Sequence, residues 1–412
     1  MKRKLATLLL LFPAGPLLAQ DSLVVDSMDD VALWKCEQKP DKITSDADPE
    51  PKEGQGALRL TIPGRIYAIA YRQPKADAAW DDYDGLAFRI KGDGSENWGE
   101  IRIQARNYDT AWVAAFPLKD KAWHEVRLAW GDLVPAGSGV PPMGSQDNFR
   151  PANITLVAFG KSWNFNTKHE SPAIAFSVDD LRLVKGVTSS RARVDVAKFP
   201  PASDAVKRMK AGEAVTILSL GDSITWGTDA GGNRNAYPAV LEGLLRKRFA
   251  NEKITVVNRA IGGSTTSKGR WWLDRDVRGV EADLVTIMFG FNEMAQKVED
   301  RDAASKAFIA NLAAYAEETA GVMKKPPALV LLATIPGKDQ HWETLDCFAD
   351  AVRAFGKTHP NVAVADVNGF FKGLGKEKSA PLMSGEAHPN AAGQREMAKV
   401  VFEAITGEKA AE

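Results

Sequence analysis

Two different rhythms divide this chain, and they limit what each half can fold into. Up to about residue 185 short runs alternate apolar and polar side chains: ALRLTI (57–62), IYAIAYR (66–72), GLAFRIKG (85–92), EIRIQARN (100–107), AWVAAFPL (111–118), WHEVRLAW (123–130), ITLVAFG (154–160) and AIAFSVDDLRLV (173–184). Clusters of Gly, Asp, Pro and Asn separate them. Period-two alternation sends one face of each strand inward and the other outward. Evenly spaced short strands with turn signals and no long helix predict a β-sandwich.

From Ala214 the apolar runs become continuous: VTILSL (215–220), ITVVN (254–258), DLVTIMF (283–289), ALVLLAT (328–334) and VAVAD (362–366). Helix-period segments near 236–250, 303–323, 343–357 and 391–405 lie between or after them. Strands apolar on both faces are buried on both faces, so this half reads as a parallel α/β sheet with helices on each side. A chain of 412 residues is more than one core usually organises, which agrees with two domains. Between the two rhythms, GVTSSRARVDVAKFPPASDAVKRMKAG (186–212) reads as a linker and the lead-in to the second domain.

Residues 1–19, MKRKLATLLLLFPAGPLLA, have a basic start, an apolar stretch and a small residue at Ala19, the layout of a signal peptide cleaved near that residue. The apolar stretch is short and broken by Pro13, Gly15 and Pro16, which argues against a membrane anchor. The expected organisation is therefore a leader (1–19), a β-sandwich (20–185), a linker (186–212) and an α/β domain (213–412), secreted or periplasmic and free of the membrane. Lys plus Arg and Asp plus Glu are 53 each, and without the leader 50 basic residues face 53 acidic ones. No basic stripe marks a nucleic-acid binder. Cys36 and Cys347 have no zinc-site spacing, and nothing in the sequence says whether they pair.

In an open parallel sheet, ligands sit beyond the carboxyl ends of the strands. Three loops there are unusual: Gly221-Asp222-Ser223-Ile224-Thr225 after the first strand, Asn258 to Thr266 with Gly262-Gly263 after the second, and Gly290-Phe291-Asn292-Glu293 after the third. His388, in GEAHPNAAG, stands just before the last helix. A serine hydroxyl becomes a nucleophile when an adjacent imidazole takes its proton, as His388 could do for Ser223. The backbone N–H groups of Ser223 and Gly263 and the Asn292 amide could then receive the tetrahedral oxyanion. Singly these are ordinary turn and cap residues. Together, in this order and on these strand ends, they point to acyl transfer.

The blocks GDSIT, NRAIGGSTT, GFNE and HPN resemble those of the SGNH or GDSL-type hydrolases over about 213–407. The resemblance implies a three-layer α/β/α fold and ester hydrolysis without a cofactor or metal. It also implies Ser223 as nucleophile, His388 as base, and Gly263 and Asn292 as oxyanion donors. Two positions depart from the pattern. Glu293 stands where the third block usually has Asp, and Gly385 stands where an Asp usually precedes the histidine by three residues. Either Glu386, two residues before His388, or a backbone carbonyl is then expected to orient the imidazole.

The first half resembles the galactose-binding-like, jelly-roll carbohydrate-binding domains in GQGALRLTI, WHEVRLAWGDL and FSVDDLRLV. Trp98, Tyr108, Trp112 and Trp163 are its candidate sugar-stacking rings, while Trp34, Trp123 and Trp130 read as core. Asp179-Asp180 reads as a solvated strand edge rather than a calcium site. In the second half Trp226, Trp271 and Trp272 are expected to shape a small acyl pocket. The combined expectation is an exported esterase that removes acetyl groups from a polysaccharide or oligosaccharide. The alternatives are an acyltransferase, a lipase or thioesterase of the same fold, or a non-catalytic glycan-binding protein.

Overall fold

The computed structural model describes residues 21–37, 44–48, 50–105, 110–137, 140, 142–161, 166, 168, 170–295, 300–323, 325–339 and 341–410. The leader expected at 1–19, and the rings of Tyr108 and Trp163, lie outside the described residues. Among those residues no helix is long and apolar enough to cross a membrane.

Two antiparallel sheets form the first domain. One contains β1 (Ser22–Asp26), β3 (Thr44–Ala47), β4 (Leu58–Ile62), β6 (Gly85–Gly92), β9 (His124–Ala129) and β12 (Ile174–Val184). Its order is β3-β4-β12-β6-β9, with β1 also paired to β12. The other contains β2 (Lys35–Glu37), β5 (Ala68–Arg72), β7 (Trp98–Ala105), β8 (Ala111–Pro117), β10 (Val134–Pro135) and β11 (Ile154–Lys161). It runs β10-β8-β7-β11-β5-β2. Alternation does the sorting: in LRLTI of β4, Leu58, Leu60 and Ile62 are buried while Arg59 and Thr61 face out. Phe88 meets Phe116 and Phe159 edge-on, at centroid distances of 5.5 and 5.0 Å, across the space between the sheets.

Asp179 and Asp180 are not a solvated edge. Both are buried, at a register shift in β12 where Asp180 takes φ 53°. Oδ2 of Asp179 accepts the backbone N–H groups of Lys52 and Glu53 at 2.7 and 2.8 Å, which ties down the preceding loop.

The second domain is a parallel sheet of β13 (Val215–Gly221), β14 (Ile254–Asn258), β15 (Leu284–Met288), β16 (Ala328–Leu332) and β17 (Ala363–Ala365), in the order β14-β13-β15-β16-β17. The strand order reverses at β13, so its carboxyl end is the switch point where such sheets leave a crevice. Successive residues go to opposite layers. Val215 and Ile217 pack with α1 (Ala202–Lys210), α3 (Tyr237–Phe249), α9 (Val367–Leu374) and α11 (Ala391–Thr406). Leu218 and Leu220 pack with α6 (Arg301–Val322) and α8 (Asp346–Thr358).

The segment expected to be a linker is largely part of this second core. Val196 and Phe199 are buried in the layer of α6 and α8. Pro201 precedes α1, whose Ala202, Ala205, Val206 and Met209 recur at helical spacing and are buried in the other layer. Further upstream, Val194 N–H bonds Glu317 O at 3.1 Å, and Ala192 O lies so close to Gly321 that a Cβ there would collide with it. Arg191 and Arg193 both reach the buried carboxylate of Glu318, at 2.7 and 2.8 Å. Cys36 and Cys347 lie in different domains and are not joined by a disulfide.

Candidate active site

The switch point is built by a strand that turns into a helix without an intervening loop. Gly221 ends β13 where a Cβ would run into Thr225 and the Met288 carbonyl. Asp222 then caps α2 (Ser223–Trp226), its Oδ1 accepting Ile224 N–H at 2.9 Å. Ser223 is thereby the first residue of a one-turn helix that Gly227, at φ 90°, terminates. The chain folds back on itself, and Thr228 N–H bonds Ser223 O at 3.0 Å. The following residue, Asp229, has φ 63°.

His388 reaches this turn from the loop that leads into α11, a helix in the same layer as Ile224 of the turn. Asn390 caps α11 through Ala392 and Gly393 N–H, and Ser384 N–H bonds His388 O at 2.9 Å, which fixes the loop carrying the imidazole. Gln394, fully buried in α11, donates to Ile224 O at 2.8 Å and accepts Tyr237 N–H at 2.8 Å. This amide joins α11 to the serine turn and to α3, and the sequence reading passed over it. His388 Nε2 lies 2.8 Å from Ser223 Oγ, and Nδ1 lies 3.0 Å from Asp229 Oδ2. A carboxylate can only accept, so Nδ1 carries the proton and Nε2 presents its lone pair to the serine hydroxyl.

Glu386 does not occupy the place expected of it. Its carboxylate is exposed and faces His341 Nε2 at 3.6 Å, and its backbone O accepts Lys338 N–H at 2.9 Å. The side chain beside Nδ1 is Asp229, on the loop that follows the serine.

The second and third loops close the other flank. Arg259 and Ile261 N–H bond Ser219 and Gly221 O at 2.9 and 3.0 Å, so the second loop runs along β13. Gly263 has φ 71°, a conformation open to glycine and costly for other residues. Asn292 Nδ2 donates to Ser264 O at 2.9 Å and lies 3.5 Å from Asp222 Oδ2. Glu293 is buried and staples two loops: Oε1 accepts Thr266 N–H at 2.7 Å and Oε2 accepts Gly290 N–H at 3.0 Å. Burial raises its carboxyl pKa. Burial likewise pushes the Asp222 carboxyl up to about 7, the charge of Glu293 adding to the effect. Lys268, on α4 (Thr266–Trp271), donates to Gly263 O at 3.2 Å.

Residues 219–396 match the GDSL-like lipase/acylhydrolase family. The second domain is a GDSL-type acylhydrolase domain. Residues 61–178 of the sandwich match the family of complex I intermediate-associated protein 30. An acetylxylan esterase of Geobacillus stearothermophilus is 26% identical over 219 residues, which are 48% of this chain and 96% of that protein. The uncharacterized lipoprotein YqeF of Bacillus subtilis (strain 168) is 28% identical over 127 residues, 30% of this chain and about half (51%) of its own length. Among solved structures, the acetylxylan esterase Axe2 of G. stearothermophilus aligns at 24% identity and a TM-score of 0.40, over 48% of this chain and 97% of that one. A family 11 carbohydrate-binding module from Clostridium thermocellum, in complex with a mixed-linked tetrasaccharide, aligns at 17% identity and a TM-score of 0.33, over 40% and 96%.

Within the GDSL-type domain Ser223 stands on α2, and Gly263, Asn292 and His388 on the loops after β14, after β15 and before α11, with Ser223 against His388 and Asn292 against Ser264 O and Asp222. Trp226 stands half-buried three residues after the serine. Trp271 and Trp272 are not pocket walls. Both are buried against Val113 of β8 and Val134 of β10, with Trp98, Ala115 and Ala136 around them. Of the rings considered for sugar stacking, Trp112 is fully buried in the sandwich core and Trp98 belongs to this interdomain cluster. Trp34 is core and Trp130 packs half-buried against that core, whereas Trp123 is half-buried outside the cluster. Among the described residues no group of three or more His, Cys, Asp or Glu side chains gathers as a metal site.

Proposed function

We propose that the protein is an exported carbohydrate esterase that removes O-acetyl groups from a polysaccharide through an acyl-enzyme on Ser223. The observation that carries this reading is the imidazole of His388 placed between Ser223 Oγ at 2.8 Å and Asp229 Oδ2 at 3.0 Å. The relative named as an acetylxylan esterase spans nearly its whole length on this domain, which favours an acetylated polysaccharide as the substrate. Leader-like residues 1–19 support export.

In the first half-reaction Ser223 Oγ adds to the ester carbonyl while its proton passes to His388 Nε2. The negative oxygen is received by the N–H groups of Ser223 and Gly263 and by the Asn292 amide, one such donor being worth roughly 3–4 kcal/mol of barrier. Collapse breaks the bond to the sugar oxygen, which takes the proton back from His388. Water then adds to the acyl-serine, giving its proton to the same nitrogen, and acetate leaves as Ser223 recovers its hydrogen. Asp229 holds the tautomer and stabilises the imidazolium in both halves.

Acetate release from 4-nitrophenyl acetate and from an acetylated polysaccharide tests the reading. The wild type should release acetate from both and Ser223→Ala from neither. A folded wild type with no Ser223-dependent release from either would overturn it. Products formed in the presence of a sugar acceptor separate hydrolysis from acyl transfer.

A further inference from the structure

The two-tryptophan cluster lies between the domains, and it stands one short helix away from the oxyanion loop. Helix α4 is six residues long, too short to hold a position by its own hydrogen bonds. Its placement is set by what touches it, and each side has a different partner. At its start Thr265 Oγ1 accepts Lys268 N–H at 3.3 Å, and Thr266 N–H is held by Glu293. On the inner side Gly269 sits where a Cβ would be tight against Tyr315 and Phe289, and Arg270 is buried against Glu318 and Asn311 of α6. On the outer side Trp271 and Trp272 are buried on Val113 and Val134 of the sandwich, and Trp271 Nε1 donates to Pro135 O at 3.4 Å. The same helix carries Lys268, whose ammonium group holds the Gly263 carbonyl.

Gly262 and Gly263 form the middle of a turn that Ser264 N–H closes on Ile261 O at 3.2 Å. The direction of the Gly263 N–H therefore follows the placement of this turn, which β13 holds through Ile261 on one side and Asn292 and Lys268 of α4 hold on the other. The sandwich side of the contact is also committed. On β7, Glu100, Arg102 and Gln104 alternate with the core residues Ile101 and Ile103, yet all three are buried. Arg102 pairs across the sheet with Val113, the residue under the two tryptophans.

We infer that the β-sandwich is a working part of the acylhydrolase site: by burying Trp271 and Trp272 it sets the position of α4 and, through Lys268, of the Gly263 oxyanion donor. Trp271 is in this sense a positioning residue. The inference rests on the serine-esterase reading of Ser223.

The test uses the full chain and two readouts. One is kcat and KM on 4-nitrophenyl acetate. The other is the rate at which a 4-nitrophenyl alkylphosphonate phosphonylates Ser223, 4-nitrophenolate leaving as the Oγ–P bond forms. Trp271→Ala should lower both kcat and the phosphonylation rate about tenfold or more, with KM within twofold. Trp271→Phe should recover most of the loss, and Trp123→Ala, on the other sheet, should change neither. Val113→Asp loosens the same contact from the sandwich side, so the comparison survives if Trp271→Ala does not fold. Rates within twofold of wild type, in a variant whose 186–195 segment has become open to protease, would overturn the inference. A loss confined to KM would do the same. Phosphonylation does not depend on the acyl group, so failure of acetyl esters to turn over would overturn the substrate reading alone. An unlabelled wild-type Ser223 would overturn both.

Discussion

Asp229 and His388 are 159 residues apart in the chain, and their Oδ2 and Nδ1 atoms are 3.0 Å apart in the fold. The acid thus lies on the same short segment as Ser223, and the imidazole slots between two groups that one turn holds in register. The position three residues before the histidine, Gly385, has open space where a Cβ would stand.

That geometry predicts a transplant. Asp229→Asn keeps a residue that tolerates a positive φ but removes the anion that holds Nδ1–H, so kcat should fall by roughly 10²–10⁴ with little change in KM. Adding Gly385→Asp to this variant should restore at least about tenfold of the loss, because the open space at that position admits a carboxylate three residues before the histidine. Steady-state kinetics of the three proteins decide the matter, and an Asp229→Asn enzyme as fast as wild type would show that another group orients His388.

Asn292→Ala should cost roughly 10²–10³ in kcat, as for loss of one oxyanion donor. Its Nδ2 also bonds Ser264 O, so part of the loss comes from the second loop. A Ser223 phosphonate adduct, whose P–O⁻ occupies the oxyanion position, should form more slowly in proportion. An unaltered phosphonylation rate would remove Asn292 from that role.

Glu318 should govern acid stability. Burial works against its charge, but the guanidinium groups of Arg270 and Arg191 hold its carboxyl down at about 2, against 4.5 unperturbed. The folded form therefore keeps this carboxylate ionised after the unfolded chain has been protonated. Its contribution is complete above about pH 4.5 and is lost as pH falls toward 2. Glu318→Gln leaves the buried Arg270 without its counter-charge and should cost about 3–5 kcal/mol at neutral pH, less near pH 3. Urea midpoints at pH 3 and 7 measure the difference, and an equal penalty at both would contradict the assignment.

Asp222 works in the opposite direction. Its carboxyl is raised to about 7 by burial, so between about pH 4 and 7 the folded protein holds a proton that the unfolded chain has released. Stability from this group is full below about pH 4 and declines as pH rises through 7. In Asp222→Asn the decline should vanish, a slope worth at most about 4 kcal/mol. Denaturation at pH 5 and 8 reads it, and identical slopes in the two proteins would refute the buried-acid account.

Much of this architecture was legible where periodicity is strong. The sequence reading placed ITVVN at 254–258 and a final helix at 391–405, and the fold has β14 at Ile254–Asn258 and α11 at Ala391–Thr406. The four loop blocks were readable only in combination, since each alone is ordinary turn or cap chemistry, three following strand ends and the fourth preceding the last helix. Asp229 was not, because only the reversal after Gly227 and its own positive φ bring the carboxylate back to the histidine. Trp271 and Trp272 were misplaced for a related reason: adjacent residues on a short helix show no period, and the surface they cover belongs to another domain. The Ser-Ser and Pro-Pro pairs suggested a linker and lead-in to the second domain, whereas Pro201 stands at the start of a helix, a position proline suits.

The path of residues 191–210 bears on where the chain can be divided. A cut at residue 213, between the two rhythms, would strip Val196, Phe199 and all of α1 from the second core and leave Glu318 with one arginine in place of three. A cut before residue 191 would keep those contacts and expose the pair of tryptophans. The smallest self-sufficient unit of this acylhydrolase is therefore larger than its four loop blocks suggest, and a foreign module could replace the sandwich only if it brought its own cover for α4.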